Sequence, residues 1–218
     1  MLINSDFSQR ATVAREQYQW LASPQPGVER VMLDRVGAEQ ARATSIVRYA
    51  PGSSFPHHTH PGGEEILVLH GTFSEGGVHY PAGWYLRNPP GSSHRPSSSE
   101  GATIFVKLRQ MSADETHRVR IDTRDPNSWR REGDREICVL FMSEDERVCL
   151  QRLPPGMPLL TDVIDGAELL VVEGSVVEGA ISYVRGSWLR LPEFSACAIA
   201  AGSDGATCYI KTGHLNGD

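Results

Sequence analysis

The feature that most constrains this chain is an internal repeat with a period of about 100 residues. Residues 65–87 read EILVLHGTFSEGGVHYPAGWYLR and align without a gap to residues 168–190, ELLVVEGSVVEGAISYVRGSWLR. Identical positions include Glu65, Gly71, Glu75, Gly76, Tyr80, Gly83, Leu86 and Arg87, which correspond to Glu168, Gly174, Glu178, Gly179, Tyr183, Gly186, Leu189 and Arg190. Because solenoid repeats are far shorter, this period indicates duplication of a whole domain.

The rest of the chain follows the same division. GATIFVK at residues 101–107 mirrors GATCYIK at residues 205–211, and the segment at 108–127 between the halves is polar and has no sustained apolar period. A chain of 218 residues is long enough to form two small domains with their own cores. We therefore predict one domain over residues 1–110 and a second over residues 111–218.

Both halves are predicted to consist of short strands. SIVRY, EILVLHGTF, GWYLRN and TIFVKL in the first half are rich in β-branched and aromatic residues, and ICVLFM, RVCLQRL, AELLVVEG, GSWLRL and TCYIKT match them in the second. Many short strands separated by Gly and Pro turns are typical of an all-β sandwich or barrel. A helix is predicted only over residues 11–22, ending before Ser23-Pro24.

Histidine is concentrated in the first half. The chain has 8 histidines, and six of them lie between His57 and His94. Residues 52–71, GSSFPHHTHPGGEEILVLHG, contain four of these histidines, and three of them (His57, His58 and His60) precede a Pro-Gly-Gly turn that two glutamates follow. Such a density of imidazoles and carboxylates indicates a functional site.

Four of these side chains are predicted to converge. His58 and His60 are two residues apart, so on a strand both side chains point to the same face. The Pro-Gly-Gly turn reverses the chain, and Glu64 then opens the next strand beside the two imidazoles. His94 follows a second strand and the turn NPPGSS. Three imidazoles and one carboxylate form a ligand set for a first-row transition metal.

The spacing of these residues resembles the two motifs of the cupin family. Gly52-x5-His58-x-His60-x3-Glu64-x6-Gly71 matches the first motif, and Gly83-x5-Pro89-x-Gly91-x2-His94 matches the second. The usual asparagine at the last position of the second motif is Ser98 here. Within the cupins, HTHPGGEEILVLHGTF and YLRNPPGSSHRPSSSEGATIFVKL resemble the cupin domain of ChrR-type anti-sigma factors.

The resemblance implies two tandem jelly-roll-like β-barrels, a bicupin, with a short N-terminal helix. It also implies one divalent transition metal per chain, held by His58, His60, Glu64 and His94. Zinc is the first choice for this resemblance, while iron, manganese and nickel accept the same ligands. Because imidazole must be neutral to coordinate, metal occupancy is expected to fall below about pH 6. No organic cofactor is indicated, and no catalytic residue is assigned.

Two neighbouring residues compete with the predicted ligands. His57 adjoins His58 but faces the opposite side of a strand. Glu65 is shared by both halves as Glu168, whereas the spacing to Gly71 selects Glu64. A glutamate kept in a half that has no matching histidines is better explained by a structural role.

The second half is predicted to be free of metal. With a one-residue gap, His58 and His60 correspond to Asp162 and to Val163 or Ile164, Glu64 corresponds to Ala167, and His94 corresponds to Cys197. Since at least two ligands are missing, the second domain is predicted to be a structural cupin.

Two classes of function fit the first half. The preferred one is a ChrR-like sensor or regulatory module, in which a small molecule or reactive oxygen species reaches the metal and a protein partner responds. The alternative is an Fe(II)-dependent dioxygenase that cleaves C–C bonds in diketones or hydroxylated aromatic ketones. ChrR-type proteins hold their sigma factor with a separate domain that uses His and Cys, and no cysteine precedes Cys138 here. A sigma-factor partner is therefore not implied.

Composition excludes several other classes. No basic stripe with interleaved aromatic residues is present, so nucleic-acid binding is not expected. The start MLINSDFSQR does not resemble a signal peptide, and no apolar run reaches the length that crosses a bilayer. The four cysteines, Cys138, Cys149, Cys197 and Cys208, form no CxxC pair. They are expected to be reduced thiols in a cytoplasmic protein. A homodimer formed through a sheet edge is compatible with the sequence, but no residue pattern specifies it.

Overall fold

The computed structural model describes residues 1–38, 40–160 and 163–215, and within them regular structure is almost entirely β. The strands are β1 Leu2–Ile3, β2 Ala11–Val13, β3 Leu21–Ala22, β4 Val28–Val36, β5 Arg42–Tyr49, β6 Ser53–Ser54, β7 His58–His60, β8 Glu64–Glu75, β9 Val78–Pro81, β10 Trp84–Asn88, β11 Ser92–His94, β12 Pro96–Ser98, β13 Ala102–Leu108, β14 Val119–Asp122, β15 Arg130–Glu132, β16 Arg135–Met142, β17 Arg147–Leu153, β18 Pro158–Leu160, β19 Val163–Glu178, β20 Ile181–Val184, β21 Trp188–Ala196 and β22 Ile199–Thr212. The helical segments of the described residues are two single 3₁₀ turns, at Arg15–Gln17 and Pro126–Ser128. The predicted all-β class is confirmed.

The chain divides into two compact units. Unit 1 contains Met1–Ser5 and Gln19–Arg124, and unit 2 contains Asp6–Tyr18 and Asp125–Asp218. Residues 6–18, which the sequence analysis grouped with the first domain, thus belong to unit 2. Residues 111–124, grouped with the second domain, belong to unit 1.

Each unit is built on an antiparallel sheet with the same arrangement of long strands. In unit 1 the order is β4-β5-β13-β8-β10-β14, and in unit 2 it is β16-β17-β22-β19-β21-β2. The cores are apolar clusters on these strands: Val28, Tyr49, Ile66, Val68, Phe73, Tyr80, Leu86, Ala102, Ile104 and Val106 in unit 1, and a cluster that includes Leu153, Leu169, Val176, Leu189, Ile199 and Ile210 in unit 2. These sheets are consistent with the jelly-roll architecture expected of cupins.

The last strand of each sheet comes from the other half of the sequence. In unit 1, β14 pairs with β10 so that Leu86 lies opposite Arg120. In unit 2, β2 pairs with β21 so that Leu189 lies opposite Thr12. Each borrowed strand satisfies backbone groups that an open sheet edge would leave exposed. The two halves therefore depend on each other for a complete sheet.

The pairing of β2 explains why the predicted helix over residues 11–22 is wrong in extent. Ala11 is buried in the ladder with β21, and only Arg15–Gln17 forms a single 3₁₀ turn before β3 begins at Leu21. The apolar spacing of this segment therefore reflects burial on a strand followed by a turn. Among the described residues no helical segment has the length and hydrophobicity needed to cross a membrane.

A close backbone contact recurs at two positions of the repeat. Gly71 has a φ of 68°, and a Cβ there would lie 2.0 Å from the carbonyl oxygen of Gly101. Gly174 has the same φ of 68°, with a distance of 2.1 Å to the carbonyl oxygen of Gly205. Only glycine fits both the left-handed backbone and the space, which gives a physical reason for its presence in both halves.

We expect a fragment of residues 1–110 to be markedly less stable than a fragment of residues 1–124. The shorter fragment lacks β14, so the edge of β10 and its four paired residues lose their backbone partners. Loss of these hydrogen bonds should lower the free energy of unfolding by at least about 2 kcal/mol. Both fragments keep residues 6–18 without their partner strand, so they are matched in that respect. Equal urea midpoints for the two fragments would contradict a structural role for β14.

Candidate metal centre

The centre is positioned by a short two-stranded ladder in unit 1. Strands β7 and β11 pair antiparallel, with His58 opposite His94 and His60 opposite Ser92. Because His58 and His60 lie two residues apart on β7, both side chains project from one face of the ladder. Gly63 N–H donates to the carbonyl of His60 at 3.1 Å and closes the turn into β8, which begins at Glu64. Local backbone pairing thus brings the predicted ligands together.

The nitrogen and oxygen atoms of these side chains lie close to one another. The ligand atoms of His58, His60 and His94 are all within 4.8 Å of each other. His60 Nε2 is 2.9 Å from His94 Nε2, and Glu64 Oε2 is 3.6 Å and 3.5 Å from these two nitrogens. The side chains of His60, Glu64 and His94 are each only 8% exposed.

These separations fit a single metal ion. Bonds of about 2.1 Å place adjacent ligand atoms about 3.0 Å apart in an octahedron and about 3.4 Å apart in a tetrahedron. The measured values of 2.9, 3.5 and 3.6 Å fall around this range. The cluster of His58, His60 and His94 can therefore hold a metal ion. The carboxylate of Glu64 lies next to this cluster, and its role as a fourth ligand stays a prediction.

Hydrogen bonds at the far nitrogen orient two of the imidazoles. His58 Nδ1 lies 2.9 Å from the carbonyl oxygen of Pro56, and His94 Nδ1 lies 2.5 Å from Glu75 Oε2. Each bond places the proton of the neutral ring on Nδ1 and leaves Nε2 as the atom that can coordinate. An outer partner of this kind is the usual companion of a metal-binding histidine.

The outer carboxylate belongs to a chain of hydrogen bonds that returns to Glu64. Arg120 on β14 contacts Glu75 Oε1 through Nη2, and the same nitrogen donates to Asn88 Oδ1 at 2.6 Å. Asn88 Nδ2 in turn donates to Glu64 Oε2 at 3.1 Å. A single arginine from the borrowed strand therefore links the supports of two predicted ligands, His94 and Glu64.

Burial and charge shift the pKa values of the histidines in opposite directions. Burial lowers the pKa of His58 and, against the opposing charge of Glu64, that of His60. Burial also acts to lower the pKa of His94, but the hydrogen bond that its Nδ1–H donates to Glu75 and the charges of Glu64 and Glu75 outweigh it and raise that pKa. In the absence of a metal, His94 therefore keeps its proton to higher pH than His58 and His60 do.

Glu65 and His57, the two alternatives to the predicted ligands, lie outside the histidine cluster. Glu65 points away from the histidines and pairs with Arg87 Nη1 at 3.2 Å, while Arg87 also binds Glu115. His57 is exposed and is not part of the cluster. Glu65 is thus engaged in an ion pair with Arg87, and the choice of Glu64 as the ligand stays a prediction.

Unit 2 contains a counterpart of the contact between Glu75 and Arg120, but no counterparts of the three clustered histidines. Glu178, the counterpart of Glu75, pairs with Arg10 at 2.5 Å, and Arg10 also donates to Tyr183 at 3.0 Å. The counterpart of His94 is Cys197, a buried thiol whose pKa burial raises. The counterpart of Glu64 is the buried Ala167. Asp162, predicted to correspond to His58, lies outside the described residues.

A cavity of about 450 Å³ reaches the centre from within unit 1. Its wall includes the predicted ligands His58, His60 and Glu64. Much of the remaining wall is apolar and comes from the sheet strands and the loop before β7: Val28, Val47, Tyr49, Phe55, Ile104, Val106 and Leu108. A molecule in this cavity would lie next to any metal bound at the centre.

The outer residues Glu75, Asn88 and Arg120 have no sequence signal that connects them to the predicted ligands. Glu75 was visible as a position shared by both halves, but nothing in its spacing connects it to His94. Asn88 and Arg120 have no motif of their own, because their contacts arise from pairing between strands distant in sequence.

Comparisons with known proteins concern the family and the fold. Residues 8–112 match the family model of the ChrR cupin-like domain. A search of curated proteins gives no match. The family match, together with the fold, supports the cupin superfamily; the bicupin duplication stays a prediction.

Solved structures from several bacteria share the fold. A Nostoc punctiforme protein described provisionally as a dioxygenase has a TM-score of 0.76 and 16% identity, over 93% of this chain and 82% of its own. The pirin YhhW of Escherichia coli, solved in complex with nickel(II), has a TM-score of 0.68 and 15% identity, over 94% and 99%. A cupin 2 conserved barrel domain protein of Leptotrichia buccalis has a TM-score of 0.61 and 10% identity, over 88% and 91%. At these identities the similarity shows the fold alone.

We expect purified protein to bind one metal ion per chain. A His58→Ala/His94→Ala double variant should lose the ion, because two of the four predicted ligands are removed. His57→Ala is the matched control, since His57 is exposed and adjacent to His58 but outside the cluster. Elemental analysis gives the stoichiometry directly. Two ions per chain, or equal metal content in the double variant and the control, would rule out this centre.

We expect Glu75→Gln to weaken metal affinity by about 10–100-fold, the usual effect of removing an outer carboxylate. Glu75 holds His94 Nδ1 and also contacts Arg120, so its loss frees the imidazole to rotate. The control is Glu178→Gln, which alters the corresponding glutamate of unit 2, where the three clustered histidines have no histidine counterparts. Competition with a chromogenic zinc chelator measures both affinities. Equal affinities for the two variants would show that Glu75 does not position the ligand.

Proposed function

We propose that this protein is a metal-dependent enzyme of the dioxygenase type that acts on a small oxygenated organic molecule. The observation that carries the proposal is the 450 Å³ cavity whose wall includes His58, His60 and Glu64. A site that serves only structure has no need of a cavity beside its ligands, whereas catalysis at a metal requires room for a substrate.

In the proposed enzyme His58, His60, Glu64 and His94 hold the metal. A redox-active metal such as Fe(II) supplies the binding and activation of dioxygen in enzymes of this kind. The outer residues keep the ligand atoms in place: Glu75 fixes the ring of His94, and Asn88 donates to Glu64.

The apolar wall has a separate role. Side chains such as Val47, Phe55 and Ile104 line the cavity and limit the water beside the ligands. Exclusion of water protects reactive intermediates and strengthens electrostatic interactions within the site. The proposed substrates are diketones or hydroxylated aromatic ketones, whose paired oxygens suit contact with a metal.

The second candidate is a sensor or regulatory module. The match of residues 8–112 to the ChrR cupin-like domain favours it. In this reading a small molecule or reactive oxygen species occupies the same cavity, and a protein partner binds the altered surface. A partner that associates equally with metal-loaded and metal-free protein would contradict this candidate.

The test of the enzymatic proposal is oxygen uptake after anaerobic reconstitution with Fe(II). The substrate panel contains diketones and hydroxyacetophenones, and we expect oxygen consumption with at least one of them. Glu64→Ala should reduce turnover by about 100-fold or more, because it removes a predicted ligand. His57→Ala should retain full activity.

Iron content is measured in the same samples, so that a lost ligand is distinguished from an unfolded protein. Absence of oxygen uptake across the panel in fully loaded protein would reject the dioxygenase in favour of the sensor. Uptake that persists in Glu64→Ala would also reject the proposed centre.

A further inference from the structure

Three aromatic side chains pack around the histidines of the centre. The ring centroid of Phe55 lies 5.8 Å from that of His58, and the ring centroid of Phe73 lies 6.2 Å from that of His94. Tyr49 connects the two phenylalanines, because its ring centroid is 5.9 Å from that of Phe55 and 5.9 Å from that of Phe73. Tyr49 thus packs against the same two side chains that contact the imidazoles.

Tyr49 is the member of this aromatic group that carries a polar atom. It ends β5 and lines the cavity together with His58 and Glu64. The residue is only 5% exposed, yet its hydroxyl makes no hydrogen bond with any described residue. A hydroxyl that is removed from water without a protein partner is costly, unless a molecule in the cavity accepts a hydrogen bond from it.

The surroundings of Tyr49 keep its hydroxyl protonated. Burial raises the pKa of this phenol, and the negative charge of Glu64 raises it further. The Tyr49 hydroxyl therefore lies within electrostatic reach of a predicted metal ligand that lines the same cavity. Because the neutral phenol carries an O–H, it can donate to a ligand that presents an oxygen acceptor.

Unit 2 shows that the fold has no need of this hydroxyl. Tyr49 lies opposite Ala102 on β13, and at the corresponding place of the repeat Leu153 lies opposite Ala206 on β22. The other two aromatic side chains also have aliphatic counterparts in unit 2, Leu159 for Phe55 and Val176 for Phe73. All three aromatic positions are thus aliphatic in the unit that has no counterparts of the clustered histidines. The tyrosine accompanies the centre rather than the fold.

We propose that the Tyr49 hydroxyl donates a hydrogen bond to a ketone oxygen of the molecule bound in this cavity, which makes Tyr49 a specificity-determining residue. The inference rests on the proposed function, since it requires a ketone in the cavity beside the centre. A ketone oxygen has two lone pairs, so one stays available to Tyr49 whatever else the oxygen contacts. A ligand without the acceptor would leave the hydroxyl unpaired and would be disfavoured.

The test is the binding of 4′-hydroxyacetophenone to zinc-loaded protein, because zinc supports no redox chemistry. Calorimetry gives the dissociation constants of the unaltered protein and of Tyr49→Phe, which removes only the hydroxyl. We expect the variant to bind about tenfold more weakly, the contribution of one hydrogen bond. Equal affinities, or an absence of binding to the unaltered protein, would overturn the inference.

Two further measurements separate a hydrogen-bond donor from a packing role. The infrared carbonyl band of the bound probe, labelled with ¹³C at the ketone, should move to higher wavenumber in Tyr49→Phe, because a hydrogen bond weakens the C=O bond. The thermal midpoint of ligand-free Tyr49→Phe should equal that of the unaltered protein, since its hydroxyl has no hydrogen bond to lose within the described chain. A carbonyl band at the same position in both proteins would assign Tyr49 to packing and overturn the inference.

The matched control is Tyr183→Phe, which removes a buried tyrosine hydroxyl from unit 2. That hydroxyl accepts from Arg10 at 3.0 Å, so its loss should lower the thermal midpoint while the affinity for the probe stays unchanged. Zinc content is measured in every sample. If Tyr183→Phe weakens probe binding as much as Tyr49→Phe does, the inference fails.

The outcomes separate this inference from the proposed function. Weaker probe binding and a shifted carbonyl band in zinc-loaded Tyr49→Phe support the donor even where Fe(II)-loaded protein consumes no oxygen. Oxygen uptake by Fe(II)-loaded protein, with unchanged probe affinity in Tyr49→Phe, supports the enzyme and overturns the donor.

Discussion

The pairing of β7 with β11 is the constraint on which the candidate centre depends. These strands of three residues each place His58 opposite His94, and the turn after His60 brings Glu64 to the same point. A one-residue slip in this register would turn the histidines to the other face. The ladder is short, so its register is maintained by surrounding structure. Gly91 N–H donates to the carbonyl of His60 at 2.9 Å and joins the turn after β10 to β7.

The outer network makes the centre a property of the whole unit. Arg120 contacts Glu75 and Asn88, and through them it influences both His94 and Glu64. Arg120 also reaches Tyr80, whose hydroxyl accepts from its Nε at 3.2 Å. In a largely buried setting each of these polar groups needs a partner, so removal of one member leaves the others unsatisfied. Ligand geometry and stability are therefore coupled.

Unit 2 shows which part of this arrangement is independent of a metal. It retains the arginine–glutamate–tyrosine contact as Arg10, Glu178 and Tyr183, although a cysteine stands where the last histidine would be. Arg10 lies next to β2, just as Arg120 lies on β14, so in both units the contact connects the borrowed segment to the sheet. We interpret this contact as a structural element of the fold that unit 1 also uses to orient His94.

The sequence by itself determined the features that depend on neighbouring residues. The alternation of strand residues, the Gly and Pro turns and the spacing of His58, His60, Glu64 and His94 are local, so they predicted the all-β class and the four candidate ligands. Tertiary structure alone decided the exchange of β2 and β14 between the two halves of the sequence, the partners of Glu75 and the residues that line the cavity. Each of these depends on contacts between distant strands, for which the sequence contains no periodic signal. Residues 11–22 illustrate the difference. Their apolar spacing is typical of a helix, but pairing with β21 places Ala11–Val13 in a strand.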